Sequence, residues 1–409
     1  MLKVVATIGI IVTMLGSAVF AAPYLVIYPQ GLALVEERRT YDLASEGRLR
    51  IDRLPDGIIL ESLVIDGLTV LSTSPALPEM EGLEGWDGRY VEVISSAGTF
   101  RGRVLIWGQD GIFLATSEGT VFIREYQAIR TPYPPLAAAE VRYLTDEPGT
   151  TDLLLRYLTY GISWEASYRA VLDDESLSLQ GTAILTNETG LSFSQAEIGL
   201  IAGEVYTPKT VDYGEVRTMA AAPEATVSQA SEYHRYSLPE PVDLGPGANL
   251  VPFVSATLPY ERVYRFSGGS VETVIRFTNE EEPLPAGGVS VYDEEGRLFI
   301  GASAIGDTPL GEEVELAIGA AFDLTGERVQ TSHLRIGEER NRDSYRITIR
   351  SAKDEPVTVE VLEYLAGTWT ITASSLPYET VDSRTVKFTL SVPAGGEAEL
   401  TYTVEWSYR

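Results

Sequence analysis

The chain has no cysteine and only two histidines among its 409 residues. The first absence excludes disulfides, a thiol nucleophile, a thiolate metal box and lipid attachment through an N-terminal cysteine. The second leaves His234 and His333 as the sole side chains whose ordinary pKa suits base catalysis near neutral pH. His234 stands in a polar stretch beside Tyr233, Arg235 and Tyr236, and His333 falls in QTSHLRIG, where a turn role is expected. Neither comes with the neighbours of a serine or cysteine triad. Positive charge is also scarce: 31 Lys and Arg stand against 59 Asp and Glu, a net charge of −28. Such a chain repels nucleic-acid phosphates and acidic polysaccharide, and holds cations such as calcium loosely at most. No stretch shows the period of an amphipathic helix lasting three turns.

Long apolar runs are missing too, with one exception. In MLKVVATIGIIVTMLGSAVFAAP, Lys3 precedes an apolar run from Val4 to Phe20 that ends in small residues before Pro23. This is the order of a secretory signal, with Val19 and Ala21 in the small positions before the cut. We expect a mature chain starting at Ala22, secreted or periplasmic. An uncleaved anchor is the competing reading, because the run lies near the lower limit of about 17 residues for a span.

What is present is strand signal: short runs of Val, Ile, Thr, Tyr and Phe punctuated by Gly, Pro, Asp and Asn. The expected fold is all-β, a multidomain β-sandwich protein. After the signal, 1–21, residues 22–75 read as an N-terminal β unit, in which RLRIDRL alternates until Pro55. Residues 86–132 give short strands with tight turns, the pattern of an SH3-like or Sm-like small barrel. Residues 136–335 form a central β domain interrupted by a long mobile loop at 208–247, which is small, polar and without period. Residues 340–409 alternate as an immunoglobulin-like sandwich without its disulfide.

The densest aromatic stretch is RYLTYGISWEASYRAVLDD, residues 156–174. As a strand it puts Trp164, Ala166, Tyr168, Ala170 and Leu172 on one face. Gly161 suggests a hairpin with the preceding LLLRYLTY. A buried aromatic face fits core packing; a sugar platform needs exposed rings.

Carboxylates are the remaining catalytic candidates: Asp173, Asp174 and Glu175; Glu280, Glu281 and Glu282; Asp293, Glu294 and Glu295. Paired acids could run glycoside hydrolysis across a cleft at roughly 5–9 Å. Adjacent acids on turns are ordinarily solvated, and none has the alternating spacing of a calcium loop. Asn187-Glu188-Thr189 matches a glycosylation acceptor but reads as a turn. We assign no catalytic, metal or cofactor residue. Tyr213, Tyr233, His234 and Tyr236, in or near the 208–247 loop, are the candidate partner contacts.

WEASYRAVL, then LQGTAILTNETGLSFSQAEIGLIAGEV, and above all LPAGGVSVYDEEGRLFIGASAIGDTPLGEEVELAIGAAFDLTGERVQT resemble the conserved C-terminal domain of the bacterial mucoidy-inhibitor-like family, a domain of unknown function. YPQGLALVEERRTYDL and RLPDGIILESLVIDG resemble the family's N-terminal unit. Two departures stand out. Many relatives carry a helical coiled coil where this chain has its barrel-like segment, and Phe193 stands near a position where they tend to have tryptophan. The resemblance implies a shared fold but carries no activity and no catalytic residues. The expectation is a non-catalytic envelope scaffold or protein-interaction module whose partner is an envelope protein or a polysaccharide. The alternative is a carbohydrate-binding protein or a carboxylate-dependent glycoside hydrolase. An outer-membrane barrel fits these Gly-broken, charged strands poorly.

The signal reading is checked by N-terminal sequencing of the protein recovered from an envelope or medium fraction. The expected first residue is Ala22, and Ala21→Leu is expected to leave the precursor uncut.

Overall fold

The computed structural model describes residues 22–76, 90–108, 110–130, 137–174, 176–203, 233–337 and 339–408. Among them lie 29 strands and no helix, so the all-β expectation holds. The cleavage site falls outside the described residues. The chain forms two compact units. One holds the residues up to Ser163 with Thr186–Leu200 and Ser237–Ala248; the other holds Trp164–Leu185, Ile201–Tyr236 and Asn249–Arg409.

In the first unit, Tyr24–Ile27 lies between Leu32–Leu43, antiparallel, and Phe193–Ala202, parallel, with Tyr24 opposite both Glu36 and Glu197. Leu32–Leu43 pairs along its whole length with Gly149–Tyr160, and Ile58–Asp66 lies beyond. Leu25, Ile27, Val35, Leu153, Leu155 and Tyr157 face inward and are buried. The buried Tyr157 hydroxyl donates to Glu37 at 2.9 Å, which meets the rule that an interior polar group keeps a partner. In the strand Glu46–Leu54, two residues separate the buried Ile51 and Leu54. A bulge opposite Ala137–Ala139, with Arg53 at φ 55°, lets both face the core. Residues 90–130 make a five-stranded antiparallel sheet. Its last strand, Ala128–Arg130, pairs with its first, Tyr90–Ser95, over a core of Val91, Val93, Val104, Ile112, Leu114 and Ile123.

One local expectation fails. No hairpin forms at Gly161, because Gly149–Tyr160 and Ile162–Leu172 belong to different sheets. Gly161 sits at φ +91°, a conformation that suits glycine. Its N–H donates to Gly31 O at 3.0 Å, while its carbonyl accepts from Glu188 N–H at 2.7 Å. The chain is thereby turned out of one sheet into the next. Of the loop expected at 208–247, residues 208–232 lie outside the described residues; in the rest, His234–Ser237 and Val242–Leu244 are strands. The second pairs with Phe193–Ala202 and buries Leu244, so short apolar anchors outweigh the polar composition around them.

The second unit centres on a ten-stranded sheet whose path includes Phe299–Ile305, Gly287–Tyr292, Ile162–Leu172, Ser176–Asn187, Gly247–Phe266, Val357–Tyr364 and Thr385–Val392. A four-stranded sheet, Leu324–Arg335, Arg340–Ser351, Glu397–Ser407 and Thr368–Ser374, supplies further core residues. Phe266, Ile347, Val359, Phe388, Leu400 and Tyr402 pack in one cluster drawn from both sheets, the layering of a β-sandwich. Tyr402 stacks on Phe388 and on Tyr345 at ring separations of 5.5 and 5.2 Å. Within this core Glu363 accepts from Arg328 Nε at 2.9 Å and from the Tyr402 hydroxyl. Glu363 is buried whereas Arg328 reaches it from the exposed side, so losing Arg328 would leave an interior carboxylate without its counter-charge.

Arg265 and Arg276 each reach Glu315 at 2.7 Å, and reach Glu360 at 3.2 and 3.1 Å. Hydrogen bonds from Arg265, reinforced by Arg276 against partial burial, hold the Glu315 carboxyl down at about 2. A carboxyl depressed on folding stabilises the native state above its unfolded pKa, and that stabilisation disappears as pH falls toward the folded value. Urea denaturation of wild type and Glu315→Gln should therefore show a stability gap at pH 6 that narrows steadily from about pH 4.5 to 2.

Candidate functional site

The aromatic face predicted for Ile162–Leu172 is interior. Trp164 is 4% exposed, and Ala166, Tyr168, Ala170 and Leu172 are buried with it. Trp164 Nε1 donates to Ile201 O at 2.9 Å and the Tyr168 hydroxyl to Pro285 O at 2.8 Å. Phe253 joins the two, with centroids 5.9 Å from Trp164 and 6.1 Å from Tyr168. Tyr236 completes the cluster 5.6 Å from Phe253 and donates its hydroxyl to Pro283 O. Burial raises the Tyr168 and Tyr236 hydroxyl pKa values well above the usual tyrosine range, so both stay protonated donors. Trp164 thus offers no sugar platform, and Tyr236, a candidate partner contact by sequence, is a core residue.

The same strand builds a site at its far end. It runs parallel to Gly287–Tyr292, with Val171 opposite Tyr292. Asp173 and Asp174 follow the first strand and Asp293 and Glu294 follow the second, so two acidic turns, 120 residues apart in sequence, leave neighbouring strands at the same end. Both line a cleft of about 600 Å³. Asp173 Oδ1 accepts from Asp174 N–H at 2.8 Å, and Tyr260 donates its hydroxyl to Asp173 O at 2.9 Å. Asp293 Oδ1 accepts from Arg297 N–H at 2.9 Å and Leu298 N–H at 3.0 Å. Arg169, 4.5 Å over the Tyr292 ring, donates to Gly296 O at 2.8 Å and ties the second turn down. One acid of each pair therefore shapes its own turn, while Asp174 and Glu294 are exposed.

Across the cleft, Lys353 Nζ lies 5.1 Å from the centroid of Tyr264, a favourable cation–π arrangement. Phe322, also lining the cleft, is 97% exposed. The turn that carries it is fixed on both sides. Ala321 N–H donates to Val271 O at 2.7 Å, Leu324 N–H to Ala321 O at 3.2 Å and Ala352 N–H to Asp323 O at 2.8 Å. Phe322 is thus a large apolar ring held out from a well-bonded turn. Sequence reasoning missed it, although an aromatic in GAAFDLTG, between two strand patterns, was the available signal.

The other predicted positions lie elsewhere. Tyr233 is 38% exposed and His234 is exposed; Tyr213 falls outside the described residues. His333 is within the strand Leu324–Arg335 rather than a turn, and its Nδ1 lies 2.6 Å from Asp343 Oδ1. Burial raises the Asp343 carboxyl, but hydrogen bonds from Trp406 Nε1 and His333 outweigh it and hold the group below its ordinary range. Asn187 and Thr189 are buried, and Asn187 donates to Leu191 O at 2.7 Å, an interior turn. Trp107 is half-buried, edge-on to Tyr126 at 5.9 Å. Among the described residues, no three His, Asp or Glu side chains are grouped so as to hold a metal ion, and no helix is long and apolar enough to cross a membrane. No protein-family model matches the chain, and no curated protein matches it.

The contrast between the two aromatic positions is measurable by urea denaturation. Trp164→Ala should lose about 3–5 kcal/mol through its cavity. Phe322→Ser should stay within about 0.5 kcal/mol of wild type, since the ring packs on nothing.

Proposed function

We propose that this protein is a non-catalytic extracytoplasmic scaffold of the mucoidy-inhibitor-like family, which recognises a partner at the cleft of the second unit. The observation that carries this reading is Phe322, an apolar ring projected from a firmly bonded turn beside a cleft of mixed charge. Exposed aromatics on rigid supports serve as anchors for binding, because they add contact area with little entropy left to lose. The roles of Asp173 and Asp293 support it further: each spends an oxygen on its own turn, an arrangement that shapes a surface.

The secretory pattern at the N terminus supports the location. The pairing of the last strand of 90–130 with the first suits an SH3-like barrel, and the two-sheet core around Tyr402 suits an immunoglobulin-like sandwich. Such modules commonly serve as scaffolding, although fold alone carries no function. The convergence of two acidic turns favours one other reading, a carbohydrate-active cleft.

In-cell photocrosslinking decides between them. A photoreactive residue at position 322 should give a reproducible protein adduct in the extracytoplasmic fraction, and one at the exposed position 399, which does not line the cleft, should not. No adduct from 322, or release of reducing sugar from a polysaccharide panel that is lost in Asp174→Asn/Glu294→Gln, would overturn the scaffold reading.

A further inference from the structure

Resting on that reading, we infer that the cleft takes a basic, apolar peptide segment of a partner protein: a lysine or arginine side chain between Asp174 and Glu294, with a neighbouring apolar side chain against Phe322.

Three features of the cleft specify that chemistry. The first is charge. Four carboxylates and two cations, Arg262 and Lys353, line it, and Lys353 is already placed over the Tyr264 ring. The protein as a whole carries −28, so the cleft lies within a negative field that draws cations and repels anions. Phosphates and acidic polysaccharides meet repulsion there.

The second is the division of labour among the acids. Asp173 and Asp293 hold the turns through backbone N–H groups. Asp174 and Glu294 are exposed at their tips, with their oxygens free to accept from an ammonium or guanidinium. A charge-assisted pair of this kind fixes the register of a bound chain more than it adds raw affinity.

The third is the form of the apolar contact. A sugar covers one face of a ring that lies flat in a cleft floor. Phe322 has both faces and its edge in solvent, so a flexible peptide side chain or a pocket folded around it buries more of the ring than a saccharide does. Leu298 and Phe299, also exposed, directly follow the Asp293 turn. Acidic tips flanked by apolar side chains complement a segment in which basic and apolar residues alternate.

The test uses the full mature protein and a fluorescein-labelled Lys-Leu-Lys-Leu-Lys-Leu peptide in fluorescence anisotropy at 50 and 200 mM NaCl. Wild type is expected to bind, more weakly at the higher salt. Asp174→Asn/Glu294→Gln and Phe322→Ser are each expected to weaken binding at least tenfold, and the acid double variant to flatten the salt dependence. Glu118→Gln/Glu125→Gln removes equal charge from exposed positions of the other unit and should stay within twofold of wild type. Because all these positions are exposed, unchanged urea midpoints will show that the variants remain folded. Equal weakening by Glu118→Gln/Glu125→Gln would reduce the effect to general attraction by a polyanion and overturn the inference. So would an unaffected Phe322→Ser, absence of peptide binding, or displacement of the peptide by neutral chitohexaose. If the peptide fails while position 322 still crosslinks a protein in cells, the partner chemistry inferred here is wrong and the recognition role stands. Loss of both removes the role itself.

Discussion

The second unit depends on the parallel register between Ile162–Leu172 and Gly287–Tyr292. The two backbones come so close that a Cβ on Gly287 would lie 2.3 Å from Ala166 O; only a residue without one fits at that point. Tyr168, on the same strand, donates to Pro285 O just before the pairing begins. A glycine and a buried hydroxyl thus lock the alignment from two directions. That single alignment sends one face of the Trp164 strand into the aromatic cluster and brings two acidic turns to a common end. A slip of one residue would exchange the faces, exposing Trp164 and burying Glu165 and Arg169.

Much of this architecture was legible in the chain because strand alternation is local information. The buried positions of Ile162–Leu172 follow the predicted face, and the RLRIDRL strand ends before Pro55 as its pattern suggests. Errors arose where a distant partner decided the outcome. Gly161 looked like a hairpin turn because hairpins join sequence neighbours; its actual role depends on Gly31 and Glu188. His234–Ser237 looked like loop because four residues are too few to show a period, and Tyr236 is held by Phe253 and Pro283.

The site was half legible. Both acidic turns stood out by composition, but their meeting is a property of the parallel register, which no local pattern encodes. Phe322 was overlooked for the opposite reason: its one signal, an aromatic residue between strands, is shared by many core side chains until the surroundings are known. A recognition surface assembled this way is stiff. Two of its four acids are braced by backbone amides, Lys353 lies over a ring and the apolar anchor is held by a bonded turn, so on the proposed reading the frame of the site needs little ordering at the moment of binding.

The placement of Tyr24–Ile27 between Leu32–Leu43 and Phe193–Ala202 has a consequence for how the molecule is made. The earliest strand of the described chain waits for a neighbour about 170 residues later. The sheet path of the second unit likewise joins Ile162–Leu172 to strands as late as Thr385–Val392. Closing loops of this length before any contact repays them makes folding slow and favours an all-or-none finish. A chain delivered from its N terminus would leave its first strand edges unpaired for most of its synthesis or transport, the interval in which β-rich chains are most open to wrong partners. With no cysteine to trap an early intermediate covalently, those first strands have only non-covalent contacts to hold them until their late neighbours arrive.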